Sequence, residues 1–559
     1  MRHIKYLVLL FVICVPIWSS AQMKQSSKSQ LKVTDALELF NKALVQTNQY
    51  YVDSVDVAQI TQRAIDAMLN QLDPYTVYMP ESEQEDFTFM TTGEYGGIGA
   101  YIQLVDSIVY VQQPMSGSPA EKAGLRMGDY FLEIDGESVI PGTPKLVSNK
   151  LRGPLGTVVK VKVQKLGEKE PVELSLTRAN VTVDQVVHST LYNDSIGYIR
   201  LGSFTDKSYG DLRKAFEVLN KEGKMRRLIL DLRSNGGGVM GPAIDILGLF
   251  VPKGTKVLYT EGRQPTTSKE YFTEHDPIAL DMPLTVLINE GSASASEIVA
   301  GALQDLDRAV LIGEKSFGKG LVQTALRLPQ DGLLKITISR YYIPSGRCIQ
   351  QLDYSHRNPD GSVAAVPDSL THIFKTKNGR LVRDGGGIRP DIRIEDETLS
   401  TLLFQVNNRG QLFAFSNQLY MERPRPQNLE EVIVTDEDFD RLVTFLEEKK
   451  YTPEQYTLKG VAELEKLASF EGYEQRTKEA FAALKAALKP DLRQGLEECK
   501  EQTKRILRSL LAQHYFGLPG QYQVLTENDP TMLRAIELLQ DDHAYRSTLT
   551  GEGVKEIGK

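Results

Sequence analysis

Between residues 180 and 395 the chain alternates short β-branched runs with helical stretches, and this alternation limits its architecture most. "RRLILDLRSNGGG" (Arg226–Gly238) reads as a strand running into a glycine loop, and "PAIDILGLFV" (Pro242–Val251) as the helix after it. "PLTVLIN" is a second strand, "NEGSASASEIVAGALQD" (Asn289–Asp305) opens a second helix, and "AVLIGE" is a third strand. Parallel strands need such crossovers, so this segment predicts an α/β layer. At 559 residues the chain is too long for one hydrophobic core, so several domains are expected.

The flanks have different textures. Residues 33–92 read as a helical N-terminal region with apolar Leu37, Leu39, Leu44, Ile60, Ile65 and Leu69, broken by proline in "LDPYT" (Leu72–Thr76). Residues 93–178 form a β-rich module with glycine turns and one short helix at "SPAEKAGL", where Ser118 caps and Gly124 terminates. Residues 396–559 are mostly helical and charged, with apolar stripes that predict a packing or interface role.

The first 21 residues have the parts of an export signal: Arg2 and Lys5, an apolar run from Tyr6 to Trp18, then Ser19-Ser20-Ala21 at a cleavage site. This predicts export, in a bacterium to the periplasm. An uncleaved signal would anchor the chain in the inner membrane and be its one membrane contact. A net charge of −8 points away from nucleic acid. Cys14, Cys348 and Cys499 make neither a metal motif nor a disulfide framework, so no metal and no other cofactor is expected.

Ser292, Ser294 and Ser296 raise the chemical question. Ser294-Ala295-Ser296-Glu297 fits an S-x-x-E capping box, and on its own that is an ordinary helix start. A serine nucleophile needs a base, yet the seven histidines offer no evident partner and the G-x-S-x-G elbow is absent. Lysine is the other base used in such pairs. Lys319 lies between Gly318 and Gly320, before an apolar run with no acid from Ser316 to Gln330. A lysine base must be neutral, which burial away from carboxylates favours. If residues 319–323 are extended, Lys319 and Gln323 share a face. The loop "DLRSNGGGVMGPA" can aim amides at an oxyanion, but Pro242-Ala243 replace the Lys-Ser/Thr of a phosphate loop. The Ala295 amide at the helix start adds a further donor.

Taken in order over residues 33–395, "LDPYT", "GGIGAYI", "SPAEKAGLRMGDYFLEIDGESV", "LRGPLGT", "DLRSNGGG", the serine stretch, "GEKSFGKGLVQT", "YYIPSGR" and "GIRPDI" resemble the carboxyl-terminal processing (tail-specific) serine proteases. The resemblance implies a multidomain α/β fold: the N-terminal helical region, a PDZ domain at 93–178, a crotonase/Clp-like protease core at 180–395 and the helical C-terminal extension at 396–559. It also implies a Ser-Lys dyad of Ser294 and Lys319, which are 25 residues apart, with Gln323 holding the lysine. Gly237 and Gly238, with Ala295, match the oxyanion hole. Asp305 matches a family acid assigned to structural support. Gly97, Ile98, Gly99 and Ala100 match the loop that holds a substrate's C-terminal carboxylate. Arg152 matches a basic position at the PDZ–protease junction, where it is either a gate or a solvated arginine. The implied partners are proteins or peptides with exposed C-termini, and the extension is left to oligomerisation, an adaptor or cover over the site. The competing readings are a non-catalytic PDZ scaffold and an exported esterase.

Overall fold

The computed structural model describes residues 32–551 other than 330 and 359. The export signal at residues 1–21 lies outside the described residues. Among those described, no helix is long and apolar enough to cross a membrane. The chain divides into two units, one of residues up to Glu81 with Gln323–Thr337, the other of Ser82–Val322 with the chain from Ile338 onward.

In the first unit, residues 32–50 are helical and a second helix runs Val57–Leu69, its N-cap Asp56 accepting from the Gln59 amide at 3.0 Å. The break after it is built on Asp73, whose carboxylate accepts the amides of Tyr75 and Thr76, both at 2.8 Å. This turn sends Val77–Met79 into antiparallel pairing with residues 333–335. Leu69 is buried, whereas Leu37, Leu39 and Ile60 face outward.

The second unit begins with the β-rich module. Its antiparallel sheet has the order Ala100–Val105, Ile108–Pro114, Tyr130–Ile134, Val158–Gln164, Val172–Thr177, with Glu137–Ser138 beside Tyr130–Ile134. Val159, Val161 and Val163 alternate inward and pack with Val109, Val111, Phe131 and Ile134. The short helix Pro119–Lys122 starts as expected, with Ser118 Oγ accepting from the Glu121 amide at 3.2 Å. Gly124 follows it at φ +75°.

The α/β core holds a six-stranded sheet ordered Val186–Tyr192, Ile196–Leu201, Arg227–Asp231, Leu284–Ile288, Val310–Gly313, Ile392–Arg393. The first pair is antiparallel and the rest are parallel. One face packs on helices Ser208–Leu219, Met240–Leu247 and Ala295–Asp305.

The opposite face is covered from the far end of the chain, so the C-terminal extension is not one body. Residues 401–526 surround their own core, which includes Leu403, Phe415, Phe439, Leu442, Leu507 and Leu511. Helices Pro530–Gln540 and Asp542–Thr550 instead place Met532, Ala535, Leu538, Leu539 and Tyr545 against Tyr198, Ile229, Leu287 and Ile312 of the core sheet. A boundary at 396 therefore cuts off a layer of the α/β core. The switch follows the helix Lys500–Thr526, which is broken at Gly517 (φ 69°) with Pro519 just beyond. The helical body also meets the β-rich module: Phe413 packs with Val105 and Met127, and Asp106 accepts from Gln411 at 2.8 Å and Lys449 at 2.7 Å.

Candidate active site

The serine stretch leaves the core strand Leu284–Ile288 and turns sharply into the helix Ala295–Asp305. Ser294 is the N-cap at φ 56° and ψ −112°, a positive-φ conformation uncommon for a residue with a Cβ. Its neighbours hold the turn. Ser292 Oγ donates to the Leu232 carbonyl and accepts from the Asn289 amide, while Ser296 Oγ donates to the Asn235 carbonyl at 2.8 Å. Both side chains are fully buried and engaged in support, whereas Ser294 is half-buried.

The capping residue Glu297 does more than cap. Its carboxylate accepts from the Ser294 amide (2.8 Å) and the Lys319 amide (2.9 Å) on one oxygen. The other oxygen accepts from Ser316 Oγ (2.5 Å) and the Gly318 amide (2.7 Å). One buried carboxylate thus joins the serine turn to the lysine loop. Burial pushes the Glu297 carboxyl above the usual glutamate range, against the opposing pull of these four donors. In sequence Glu297 is half of a capping box; the stretch Ser316–Gln330 holds no acid, and the one that reaches the Lys319 amide comes from this separate segment. Buried Tyr341 adds a donor, its hydroxyl bonding the Ser294 carbonyl at 3.2 Å.

Lys319 lies in the loop ahead of the strand Leu321–Arg327, so the stretch 319–323 is not a continuous strand. The physical reason is that the loop's amides bond side chains: Gly318 and Lys319 bond Glu297, and Gly320 bonds Gln350 Oε1 at 2.8 Å. Gln323 belongs to the other unit, where its Nε2 donates to Thr337 Oγ1 at 3.2 Å.

The glycine loop follows the strand Arg227–Asp231. A Cβ on Gly237 would stand 2.6 Å from the Ala293 carbonyl oxygen, 2.8 Å from Ser294 Cβ and 2.9 Å from the Ala295 nitrogen. Its φ is +96°, so only glycine suits both the space and the conformation. The Gly237 amide, however, already donates to Asn235 Oδ1 at 2.9 Å. Gly237 therefore meets the serine turn through close approach of its backbone, with its own amide engaged inside the loop. Asn235 clamps the loop: its Nδ2 donates to the Leu201 carbonyl and its own carbonyl accepts from the Ala293 amide.

At the root of the loop lies a charged cluster. Asp231, fully buried, takes two-pronged contact from Arg233, a bond from the Tyr198 hydroxyl at 2.7 Å and a longer one from Arg200 at 3.3 Å. Burial raises the Asp231 carboxyl, but the Arg233 and Arg200 guanidiniums outweigh it and bring it down to about 2. Asp305 sits away from these groups, paired with buried Arg347 at 2.9 Å and accepting from the Ser345 amide.

In the β-rich module, the Ile98 and Gly99 carbonyls are held by Ala120, Met115 and Ser118. Beside Gly97–Ala100 lies a cavity of about 320 Å³ lined by Tyr95, Ile98, Ala100, Ile102, Leu151 and Arg152. Arg152 pairs with Asp86 and lies over the rings of Phe89 (5.4 Å) and Tyr95 (5.0 Å). It therefore ties the helix Gln84–Thr92 to the cavity rim and is not simply solvated.

Comparison with known proteins agrees with this architecture. Residues 195–360 match peptidase family S41, residues 110–165 a PDZ domain, and residues 402–539 the C-terminal helical domain of probable PDZ-proteases. Residues 11–83 match the N-terminal domain of the activating protease CtpB. The carboxy-terminal-processing protease of Bartonella bacilliformis is 36% identical over 317 residues, 56% of this chain and 72% of that one. The carboxyl-terminal-processing protease of Synechocystis is 38% identical over 298 residues, 52% of this chain and 69% of that one. A solved photosystem II D1 C-terminal processing protease is 27% identical, covering 64% of this chain and 92% of its own, with a TM-score of 0.35. The chain belongs to the carboxy-terminal-processing serine protease family and carries a PDZ domain.

Proposed function

We propose that the chain is an exported serine endopeptidase that holds protein C-termini on its PDZ domain and cleaves upstream with a Ser294–Lys319 dyad. The observation that carries this reading is the convergence of the Ser294 and Lys319 amides on one Glu297 oxygen, beside the close approach of Gly237 to Ser294. Neutral Lys319 takes the Ser294 hydroxyl proton as Oγ attacks the scissile carbonyl. The Gly238 and Ala295 amides receive the negative charge on the carbonyl oxygen. The protonated lysine then gives its proton to the leaving amine, and water, deprotonated by the same lysine, hydrolyses the acyl-enzyme. Amides of the Gly97–Ala100 loop hold the substrate carboxylate, and the adjoining cavity takes its last side chain.

The test is cleavage of an unfolded protein with an apolar C-terminus by Ser294→Ala and Lys319→Ala chains. Each is expected to bind the tail and leave it uncut. Cleavage at the wild-type rate by either folded variant would refute the dyad.

A further inference from the structure

The charged cluster under the glycine loop contains one member from the far end of the chain. Arg233 Nη2 lies 2.8 Å from Asp231 Oδ2 and 2.6 Å from Asp529 Oδ2. Asp529 is the N-cap of Pro530–Gln540, its other oxygen accepting the amides of Thr531 (2.9 Å) and Met532 (3.1 Å). The Arg233 and Asp529 side chains are 8% and 13% exposed, so the contact is well shielded from water. Two arginines, Arg200 and Arg233, meet two carboxylates, Asp231 and Asp529, and the cluster balances only when the C-terminal residue is included.

The glycine loop departs from Arg233. The Arg233 amide donates to Asp231 and its carbonyl accepts from Arg200 at 3.2 Å. Ser234 follows at φ 58°, tied to Asn289, and Asn235 then clamps the serine turn. Arg233 is thus the fixed end of the segment that sets Gly237 against Ser294 and runs on into Gly238.

We propose that Asp529 is a positioning residue for peptide cleavage, acting through Arg233 to hold the glycine loop in register with Ser294. The C-terminal helices then do more than cover a sheet: they supply the last charge of the loop's anchor. This inference rests on Ser294 being the nucleophile. Without Asp529, Arg200 and Arg233 share the one carboxylate of Asp231, and Arg233 Nη2 loses the contact that ties it to the C-terminal helix. A misplacement of about 1 Å at an oxyanion donor costs on the order of 100-fold in rate.

Asp529→Asn and Asp529→Ser separate this role from capping, because both residues cap a helix well but carry no charge. Full-length chains are compared on an internally quenched peptide with an apolar C-terminal tail, and with a peptide boronic acid that forms an anionic tetrahedral adduct on the serine. The expected result is a fall in kcat of about 10- to 100-fold, with KM and PDZ binding of the tail within twofold. Boronate affinity falls in parallel with kcat/KM, and the melting temperature moves by only a few degrees. A kcat within twofold of wild type in either folded variant, a loss confined to KM, or an unchanged boronate affinity overturns the proposal. Ser294→Ala in the same assay keeps the two readings apart. If it is inactive while Asp529→Asn is fully active, only the positioning role fails; if it cleaves normally, the dyad itself fails.

Discussion

Replacing Glu297 with glutamine changes one atom's chemistry at the point where the serine turn and the lysine loop meet. The carboxylate accepts four hydrogen bonds at 2.5–2.9 Å and offers no donor. A carboxamide keeps one acceptor oxygen and turns two N–H groups toward the other pair of donors. The least damaging orientation points its nitrogen at Ser316 and Gly318, since the Ser316 hydroxyl can turn and accept. The Gly318 amide is still orphaned, at about 1–3 kcal/mol. The opposite orientation orphans both the Ser294 and Lys319 amides and costs about twice as much. Removing a buried charge offsets part of either loss, so a net destabilisation of about 2 kcal/mol is expected. Activity suffers more, because the two loops lose their common anchor, and kcat is expected to fall on the order of 100-fold. The assay pairs urea unfolding with kcat and KM on a tailed peptide. Glutamine also mimics the protonated acid. Because burial raises the Glu297 carboxyl, wild-type activity should already decline with acid above the usual glutamate range, and the variant should lack that part of the decline. A folded Glu297→Gln chain with wild-type kcat and an unchanged acid limb would refute the reasoning.

Other perturbations test separate parts of the structure. Gly237→Ala forces a Cβ to within 2.6 Å of the Ala293 oxygen at φ +96°, so a stability loss of about 1–3 kcal/mol and near-complete loss of activity are expected by unfolding and cleavage assays. Burial, helped by Arg200, brings His188 down to about 4, and burial alone brings His514 down to about 3. The unfolded chain takes up these protons near pH 6.5 and the folded chain does not, so stability drains as pH falls from about 6.5 toward 4. His188 alone accounts for about 3 kcal/mol of this, and a His188→Phe chain with the same slope of stability against pH would contradict it. Leu538→Ala, at the face of the C-terminal helix against the core sheet, should cost about 2–5 kcal/mol. A much smaller loss in urea would mean that this helix does not cover the core.

The alternation of strands and helices was sufficient to foresee the α/β layer, because the period of apolar residues directly reports which elements can share a core. The short PDZ helix with its Ser118 cap was equally legible, since capping acts over three residues. The role of Ser292 and Ser296 as supports could be ranked but not explained, because their partners, Leu232 and Asn235, lie about 60 residues away. The condition that 319–323 be extended throughout is not met, for a related reason: the strand begins only at Leu321. Propensity describes a segment by itself, while Glu297 and Gln350 draw the amides of that loop away from any ladder.

What the sequence determined by itself was therefore local and ordinal: the elements, their order and the motifs, whose family resemblance marks Ser294 and Lys319 as candidates. The tertiary structure decided which groups share a carboxylate, which amide of the glycine loop is already engaged, and that the helices of residues 530–550 cover the second face of the core sheet. Each of these depends on hydrogen bonds and packing between segments distant in the chain. Side-chain chemistry names the groups able to make such contacts, but only the fold selects the pairs.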